Sequence, residues 1–304
     1  MMVEEGGTWV SSDRCVRKSV VTPGKWGPMA HEGAKCRLVI QYVTFEEGFP
    51  CSKEQEEALN NSLYFAPSLV NVPDLLVIGE ADSELDRVLE TCVCSMLPLE
   101  VCKATLFFRS REQDKENHEL LQKTPNPAIS LQINLLEVEA VPPIYMWSDD
   151  KKYEEALRHR VLGVNLFGQG RVVDAFLHFS KATRLLICIV VDGDEIESKI
   201  KALRGALYAN MAFCQLKRKN YLRADDLCTR SLAMDDSNVK VLYRRGIART
   251  HLQEYEHACE DLERARLLEP KNEMVKKALL EAKKRKKELD VRYGAAVKKA
   301  FNLW

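Results

Sequence analysis

The stretch VKVLYRRGIARTHLQEYEHACEDLERARLLEP, residues 239–270, decides the fold of the second half of the chain. Within it, the small residues Gly246, Ala258 and Ala265 and the closing Pro270 have the spacing of a repeat of about 34 residues, built from two antiparallel helices. Small side chains at these offsets let the two helices of a pair approach closely. The stretch therefore predicts one helix pair of a stacked, all-α repeat array.

Two copies of the same frame lie upstream. Ala212 and Ala224 stand 34 residues before Gly246 and Ala258, whereas the first copy, around Gly163, stands 49 residues before the second. The difference predicts an insertion of 15 residues between the first two repeats. Stacked helix pairs form a concave surface that suits recognition of an extended peptide better than catalysis. The predicted array occupies residues 146–304, with repeats near 156–189, 205–238 and 239–272 and a capping helix at 273–304.

The formal net charge of zero conceals a difference between the two halves of the chain. Residues 1–150 carry 13 Lys or Arg against 24 Asp or Glu, and residues 151–304 carry 32 against 21. The basic second half favours an anionic partner, and the acidic first half disfavours nucleic acid. Because no base-stacking or groove-reading motif accompanies the basic residues, we expect no nucleic-acid partner.

Several features predict a protein of the cytosol or nucleus without a membrane span. The apolar run at residues 185–191 is seven residues long, far below the roughly 20 needed to cross a bilayer. The N-terminus has no signal-peptide pattern. In that compartment the ten cysteines are expected to be reduced and mostly buried. Cys92 and Cys94 form a C-x-C pair, which without a second pair or a nearby His is weak evidence for zinc, so we expect no metal and no cofactor.

The first half has the pattern of an α+β domain. Apolar and polar residues alternate through residues 129–138, as is typical of a strand with one buried face. A run from Leu85 to Met96 has apolar residues at helical spacing and predicts one amphipathic helix on the sheet. The prediction is an antiparallel sheet domain at residues 1–145, with further strands at 15–21, 36–43 and 103–109 and loops at 46–73 and 110–127.

Four polar side chains lie on the predicted first helices of the repeats: Arg160, Asn210, Lys240 and Arg244. We expect them to converge on the concave surface, because the inner helices of such a stack face the groove. Two guanidinium groups, one ammonium and one amide are suited to bind carboxylates, since hydrogen bonds to charged groups contribute about 1.5–3 kcal/mol each. The alternative is that these side chains are only solvated or paired with Glu.

With these residues, the second half resembles the tetratricopeptide-repeat (TPR) co-chaperones, whose carboxylate clamp holds the Glu-Glu-Val-Asp (EEVD) tail of cytosolic heat-shock chaperones. Asn210, Lys240 and Arg244 match the clamp residue for residue, and Arg160 stands at its first Lys position with the charge retained. The resemblance implies a partner, the C-terminal peptide of the ninety-kilodalton heat-shock chaperone, with the seventy-kilodalton chaperone as an alternative.

Val164 departs from the clamp pattern, because it stands where the clamp has Asn. The neighbouring Asn165 faces about 100° away on an ideal helix and is an imperfect substitute. One contact to a terminal carboxylate is therefore in question.

The first half resembles the FK506-binding (FKBP-type) immunophilins, whose working members are prolyl isomerases. GAKCRLVIQY, residues 33–42, resembles the family strand that carries a pocket tyrosine, here Tyr42, and ISLQINLLEV, residues 129–138, resembles the closing strand. The family's pocket Trp is missing, since SELDRVLE, which begins at Ser83, contains no aromatic residue. Isomerisation needs an apolar, water-poor pocket. We therefore expect no catalytic residues and no enzyme activity.

Three further stretches resemble a degenerate member of that family that ends in three TPRs: TWVSSDRCVRKSV at 8–20, ELDRVLETCVCSM at 84–96 and LYRRGIA at 242–248. The resemblance implies a non-catalytic co-chaperone adaptor that links client proteins, such as steroid receptors or cell-cycle regulators, to the ninety-kilodalton chaperone. Two alternatives stay open: a residual prolyl isomerase, and a repeat scaffold for an unrelated acidic peptide.

A basic run, KKRKK at residues 283–287, lies within the predicted capping helix. It has three interpretations: a solvated helix surface, a nuclear-import signal, or a calmodulin-type target helix. We expect the protein in the cytoplasm, and also in the nucleus if the basic run is a nuclear-import signal.

Overall fold

The computed structural model describes residues 2–4, 8–45, 59–60, 62, 64–65, 74–107, 128–139, 141–190 and 193–301. Two compact units divide the chain: Met1–Trp147, the front unit, and Ser148–Trp304, the repeat unit. The predicted fold class is confirmed, because the front unit is an antiparallel sheet with a helix and the repeat unit is helical through its described residues. The predicted loops at 46–73 and 110–127 lie largely outside the described residues.

Within the described part of the front unit, seven strands form one antiparallel sheet in the order β1-β2-β3-β6-β7-β4-β5. Their bounds are Met2–Glu4 (β1), Thr8–Val10 (β2), Val16–Thr22 (β3), Lys35–Phe45 (β4), Asp74–Val77 (β5), Val101–Phe107 (β6) and Ala128–Glu139 (β7). The four predicted strands correspond to β3, β4, β6 and β7. The other three strands were not predicted, because three or four residues are too few to establish an alternating pattern.

One helix, α1 (Glu84–Cys94), covers the inner face of this sheet. It begins after Ser83, whose hydroxyl accepts a hydrogen bond from the Asp86 backbone N–H at 3.0 Å and so caps the helix. Leu85, Leu89 and Cys92 of α1 are almost completely buried. They share one core with inward-facing residues of the sheet, among them Leu38, Leu76, Leu106, Ile129, Ile133 and Leu135. The predicted amphipathic helix is thus present and packs on the sheet.

The repeat unit contains three helix pairs and a long final helix. The bounds are Asp149–Gly168 (α2), Val172–Ile187 (α3), Asp194–Lys217 (α4), Tyr221–Leu232 (α5), Val239–His251 (α6), Tyr255–Leu268 (α7) and Glu273–Phe301 (α8). Each helix packs on the next one along the chain, and α4 also contacts α6. The first helices of the second and third pairs, α4 and α6, therefore lie side by side, as in stacked helical repeats.

The inserted residues between the first two repeats lengthen the helices instead of forming one long loop. Helix α4 has 24 residues and starts at Asp194, whereas α6, its equivalent in the third repeat, has 13. The predicted repeat frame begins near residue 205, so the first turns of α4 extend beyond that frame.

Two glycines of the repeat frame lie where paired helices make their closest contacts. A Cβ atom at Gly163 on α2 would lie 2.6 Å from Cε1 of Phe179 on α3. At Gly246 on α6, it would lie 2.5 Å from Cγ of Leu262 on α7. These distances are shorter than any normal carbon–carbon contact, so the small residue sets the spacing of the two helices.

Replacing Gly246 with Ala is expected to lower the free energy of unfolding by up to about 2 kcal/mol. Overpacking against the buried Leu262 costs about 1–3 kcal/mol, which outweighs the gain in helix propensity of about 1 kcal/mol. Gly294→Ala is the matched control, because a Cβ there meets no atom within 4 Å in the described residues. Urea denaturation of both variants checks this, and a stabilised Gly246→Ala variant would contradict the packing argument.

The final helix α8 closes the apolar end of the array. Its Leu279 and Ala282 pack with Ala258 and Leu262 of α7 in one buried cluster. Acidic residues partner part of the basic run: Lys283 lies 3.6 Å from Glu263, Arg285 lies 2.6 Å from Glu281 and Lys286 lies 3.0 Å from Glu256. These exposed pairs fit a solvated capping helix, and the other two interpretations of the run stay predictions. In the described ranges, every helix is too short or too polar to span a bilayer.

Candidate peptide-binding groove

All four residues predicted to bind a carboxylate lie on first helices of the pairs: Arg160 on α2, Asn210 on α4, and Lys240 and Arg244 on α6. Arg160 and Lys240 are exposed, while Asn210 and Arg244 are partly buried. Among the described residues, Arg160, Asn210 and Lys240 make no side-chain hydrogen bond or ion pair. Their polar groups are therefore available to a ligand.

Arg244 is held in place by contacts to α4. Its Nη1 donates a hydrogen bond to the Ala209 carbonyl oxygen at 2.8 Å, and its guanidinium carbon lies 4.5 Å from the ring centre of Phe213. Burial lowers the pKa of Arg244 from its usual value, but an Arg side chain remains charged in a protein. The result is a partly desolvated cation that is oriented before any ligand binds and that has further N–H groups to donate.

An aromatic pair continues the contact between Arg244 and Phe213 from α4 to α2. The rings of Phe167 on α2 and Phe213 on α4 have centroids 4.9 Å apart. Lys217, one turn after Phe213, places its Nζ 5.5 Å from the same ring. Phe167, Phe213 and Lys217 were not predicted as site residues. Phe213 could have been identified from the sequence, because this residue directly follows Ala212, the small residue of the second repeat.

A row of apolar side chains occupies one position of the frame in all three repeats. Val164, Phe213 and Ile247 directly follow the small residues Gly163, Ala212 and Gly246, and we call these three side chains the apolar row. Val164 is 49% exposed, and the other two are partly buried. We define the groove as the apolar row together with the polar residues beside it: Arg160, Asn210, Lys217, Lys240 and Arg244.

The structure places Arg244 of α6 against the segment of α4 that carries Asn210. Arg244 binds the carbonyl of Ala209, the residue next to Asn210 in the chain. Lys240 stands one turn before Arg244 on the same face of α6. Arg160 lies on α2, two turns before Phe167, and no contact among the described residues joins it to the other three. The candidate site is therefore centred on α4 and α6.

Neighbouring basic residues on α6 have a different role. Arg245 binds Asp261 of α7 with two hydrogen bonds, of 2.8 and 2.6 Å. Arg249 donates to Asp225 of α5 at 2.8 Å and to Asp261 at 2.9 Å. These arginines join α5, α6 and α7, and their charge is neutralised within the protein. Because Arg244 has no acidic partner in the described residues, it retains its charge for an anion.

Other residues noted in the sequence have packing or surface positions. His178 is buried and lies 2.9 Å from His159, measured between the two Nδ1 atoms, while His257 is exposed beside Glu260. The side chain of Tyr42, the predicted pocket tyrosine, lies outside the described residues, although its backbone belongs to β4.

Cys36, Cys92 and Cys102 of the front unit are core thiols, and Cys94 packs against the same core. A hydrogen bond with Cys102 and burial raise the pKa of Cys92, and burial raises the pKa of Cys94 to about 11. Such thiols are poor metal ligands and nucleophiles, because both roles need the thiolate. In the part of the chain that the structure describes, no three His, Cys, Asp or Glu side chains are grouped for a metal ion.

The chain was compared with protein-family models, known proteins and solved structures. No protein-family model matches the chain. It is 29% identical over 173 residues to the peptidyl-prolyl cis-trans isomerase FKBP4 of Bos taurus, which covers 57% of this chain and 38% of the relative. It is 28% identical over 164 residues to FK506-binding protein 59 of Drosophila melanogaster, and that alignment covers 54% of this chain and 36% of the relative. Over the aligned residues, the chain is similar to these FKBP-type immunophilins. It spans well under half the length of these relatives.

Solved structures are also similar to this chain. Residues 1–211 of CG17282 superimpose with a TM-score of 0.51 at 19% identity, covering 71% of this chain and 97% of that one, a likeness that shows the fold alone. The first TPR of Spaghetti (RPAP3), solved with the HSP90 peptide SRMEEVD, is 27% identical and covers 43% of this chain and 93% of that one, with a TM-score of 0.36.

Proposed function

We propose that this immunophilin homologue is a non-catalytic co-chaperone adaptor whose groove binds the acidic EEVD tail of the ninety-kilodalton heat-shock chaperone, with the seventy-kilodalton chaperone as a second source of that tail. The observation that carries the proposal is the position of Arg244. Its guanidinium is oriented by the Ala209 carbonyl and the Phe213 ring, while its charge has no acidic partner among the described residues.

The groove around Arg244 fits a peptide rich in carboxylates. Lys240 adds a second cation on the same face of α6, and Asn210 adds an amide from α4. Hydrogen bonds between cations and carboxylates contribute about 1.5–3 kcal/mol each, and every 1.4 kcal/mol corresponds to a factor of ten in affinity, so each such contact affects binding measurably. The excess of basic residues in the second half of the chain also attracts an acidic ligand at long range.

Calorimetric titration of the full chain with an acetylated MEEVD peptide tests this proposal. We expect a dissociation constant of about 1–50 µM, weakened by added salt because the contacts are charged. A peptide of the same composition in scrambled order is the control. Equal affinity for both peptides would favour a scaffold for an unrelated acidic ligand, and no binding would contradict the proposal.

The front unit supports the non-catalytic part of the proposal. Isomerisation needs an apolar pocket that a proline ring can enter, whereas Leu85, Leu89 and Met96 are packed in one core with the sheet and have at most 1% exposure. Tyr64 and Phe65 are buried in the same core. We therefore assign the front unit to docking of client proteins, for which steroid receptors and cell-cycle regulators are the candidates that the family resemblance implies.

The full chain is expected to leave the cis-to-trans exchange of a prolyl test peptide at the uncatalysed rate, with a time constant of about 10–100 s. The measurement is a protease-coupled assay at micromolar chain concentration, with an active FKBP-type isomerase as positive control. An acceleration of about tenfold or more would establish the residual-isomerase alternative and place a ligand pocket in the front unit.

A further inference from the structure

We propose that Val164 makes this groove select an acidic ligand that places an apolar side chain, and not a second carboxylate, against α2. This inference rests on the proposed function of the same groove. The selected feature is the C-terminal residue of the ligand, because polar and apolar side chains are unevenly distributed along α2, α4 and α6.

The α2 end of the groove carries exposed apolar side chains beside Arg160. Val161 and Val164 are 57% and 49% exposed, and they are three residues apart, so they form one patch on one face of α2. The repeat frame relates Val161 to Asn210 on α4 and to Arg244 on α6, because each stands two residues before the small residue of its repeat. A position that is polar or charged in the second and third repeats is therefore apolar in the first.

The hydrogen-bond donors are concentrated at the other end of the groove. Asn210 and Lys217 come from α4, and Lys240 and Arg244 come from α6. On α2, Arg160 precedes Val164 by one turn and is exposed, so it can reach a carboxylate only at the edge of the patch. The charge of the groove thus changes from strongly basic at α6 to weakly basic at α2.

A ligand that ends in Asp presents two carboxylates close together. The donors of α4 and α6 satisfy acidic groups on their side, but a carboxylate placed on Val161 and Val164 would lose water without gaining a donor. An apolar side chain in the same place removes these two exposed valines from water and gains free energy. The preferred ligand therefore combines consecutive acidic residues with an apolar C-terminal side chain.

Two acetylated peptides, MEEVD and MEEVL, test the inference on the full chain by calorimetry or competitive fluorescence anisotropy. The unmodified chain is expected to bind MEEVL at least about threefold more tightly than MEEVD, because the Leu side chain contacts the patch. Val164→Asn supplies an amide donor and is expected to shift the ratio of the two affinities by about tenfold towards MEEVD. Val291→Asn, at an exposed position of α8, is the matched control and is expected to leave the ratio unchanged.

The outcomes separate this inference from the proposed function. If the unmodified chain binds MEEVD more tightly than MEEVL, or if Val164→Asn leaves the ratio as it was, the inference is wrong while the peptide-binding function stands. If neither peptide binds the unmodified chain, the proposed function fails and the inference fails with it. Because Val164 is half exposed, Val164→Asn is expected to fold normally, and its melting temperature checks this.

Discussion

Replacing Arg244 with Ala is expected to weaken binding of the MEEVD peptide at least about 100-fold. In the proposed complex Arg244 donates two charge-assisted hydrogen bonds to the peptide, worth about 1.5–3 kcal/mol each, and every 1.4 kcal/mol corresponds to a factor of ten in affinity. The loss is large because Arg244 is held by Ala209 and Phe213 before the ligand binds, so little conformational entropy is lost on binding. Calorimetric titration of the variant measures it.

Two companion variants make this result specific. Arg244→Lys keeps the charge but loses the planar guanidinium that stacks on Phe213, so we expect an intermediate loss of about tenfold. Arg230→Ala removes an exposed cation from α5, the second helix of its pair, and is expected to change affinity by less than about twofold. If Arg244→Ala bound the peptide as tightly as the unmodified chain, the groove would not be the binding site.

Replacing Lys18 with Met is expected to lower the free energy of unfolding of the front unit by about 3–5 kcal/mol. Lys18 on β3 and Glu100 are both buried, and their Nζ and Oε1 atoms are 2.8 Å apart. The same Nζ donates to the Ser95 carbonyl at 2.8 Å, and the other Glu100 oxygen accepts from the Leu97 backbone N–H at 3.0 Å. Without the ammonium group, Glu100 becomes an unpaired buried charge, which is the physical reason for the large effect.

Urea denaturation of the full chain, followed by Trp fluorescence, measures this loss, because Trp9, Trp26 and Trp147 lie in the front unit. The matched control is Lys35→Met, since Lys35 pairs with Glu139 at 3.8 Å in an exposed position and such pairs contribute about 0–1 kcal/mol. Adding Glu100→Gln to Lys18→Met is expected to restore about 1–2 kcal/mol by removing the unpaired charge. A loss below about 1 kcal/mol for Lys18→Met would mean that Glu100 remains hydrated.

The repeat array was predictable because its signal is local in the sequence and physically constrained. Gly163 and Gly246 are small because Phe179 and Leu262 occupy the space where a Cβ would lie. Such contacts recur at each helix pair, so the spacing of small residues is visible along the chain. The same holds for the long strand β7, where every second residue from Ile129 to Leu135 is buried.

The candidate site was only partly predictable. Lys240 and Arg244 stand one turn apart, so their common helix face follows from the sequence. The aromatic cluster does not, because Phe167, Phe213 and Arg244 come from three helices and meet only when the pairs stack. The short strands β1 and β5 were missed for a related reason: each is defined by the neighbour to which it is hydrogen-bonded and not by its own pattern.

By itself, the sequence determined the fold class, the repeat frame and the residue types that can bind a carboxylate, because helix period and residue size act within a few turns of the chain. The tertiary structure decided what each charge does. Arg244 and Arg245 are adjacent in the chain, yet one faces Phe213 and the other is neutralised by Asp261. Lys18 meets Glu100 across 82 residues. Side chains distant in sequence come together only in the packed state, where the loss of water makes their charges matter.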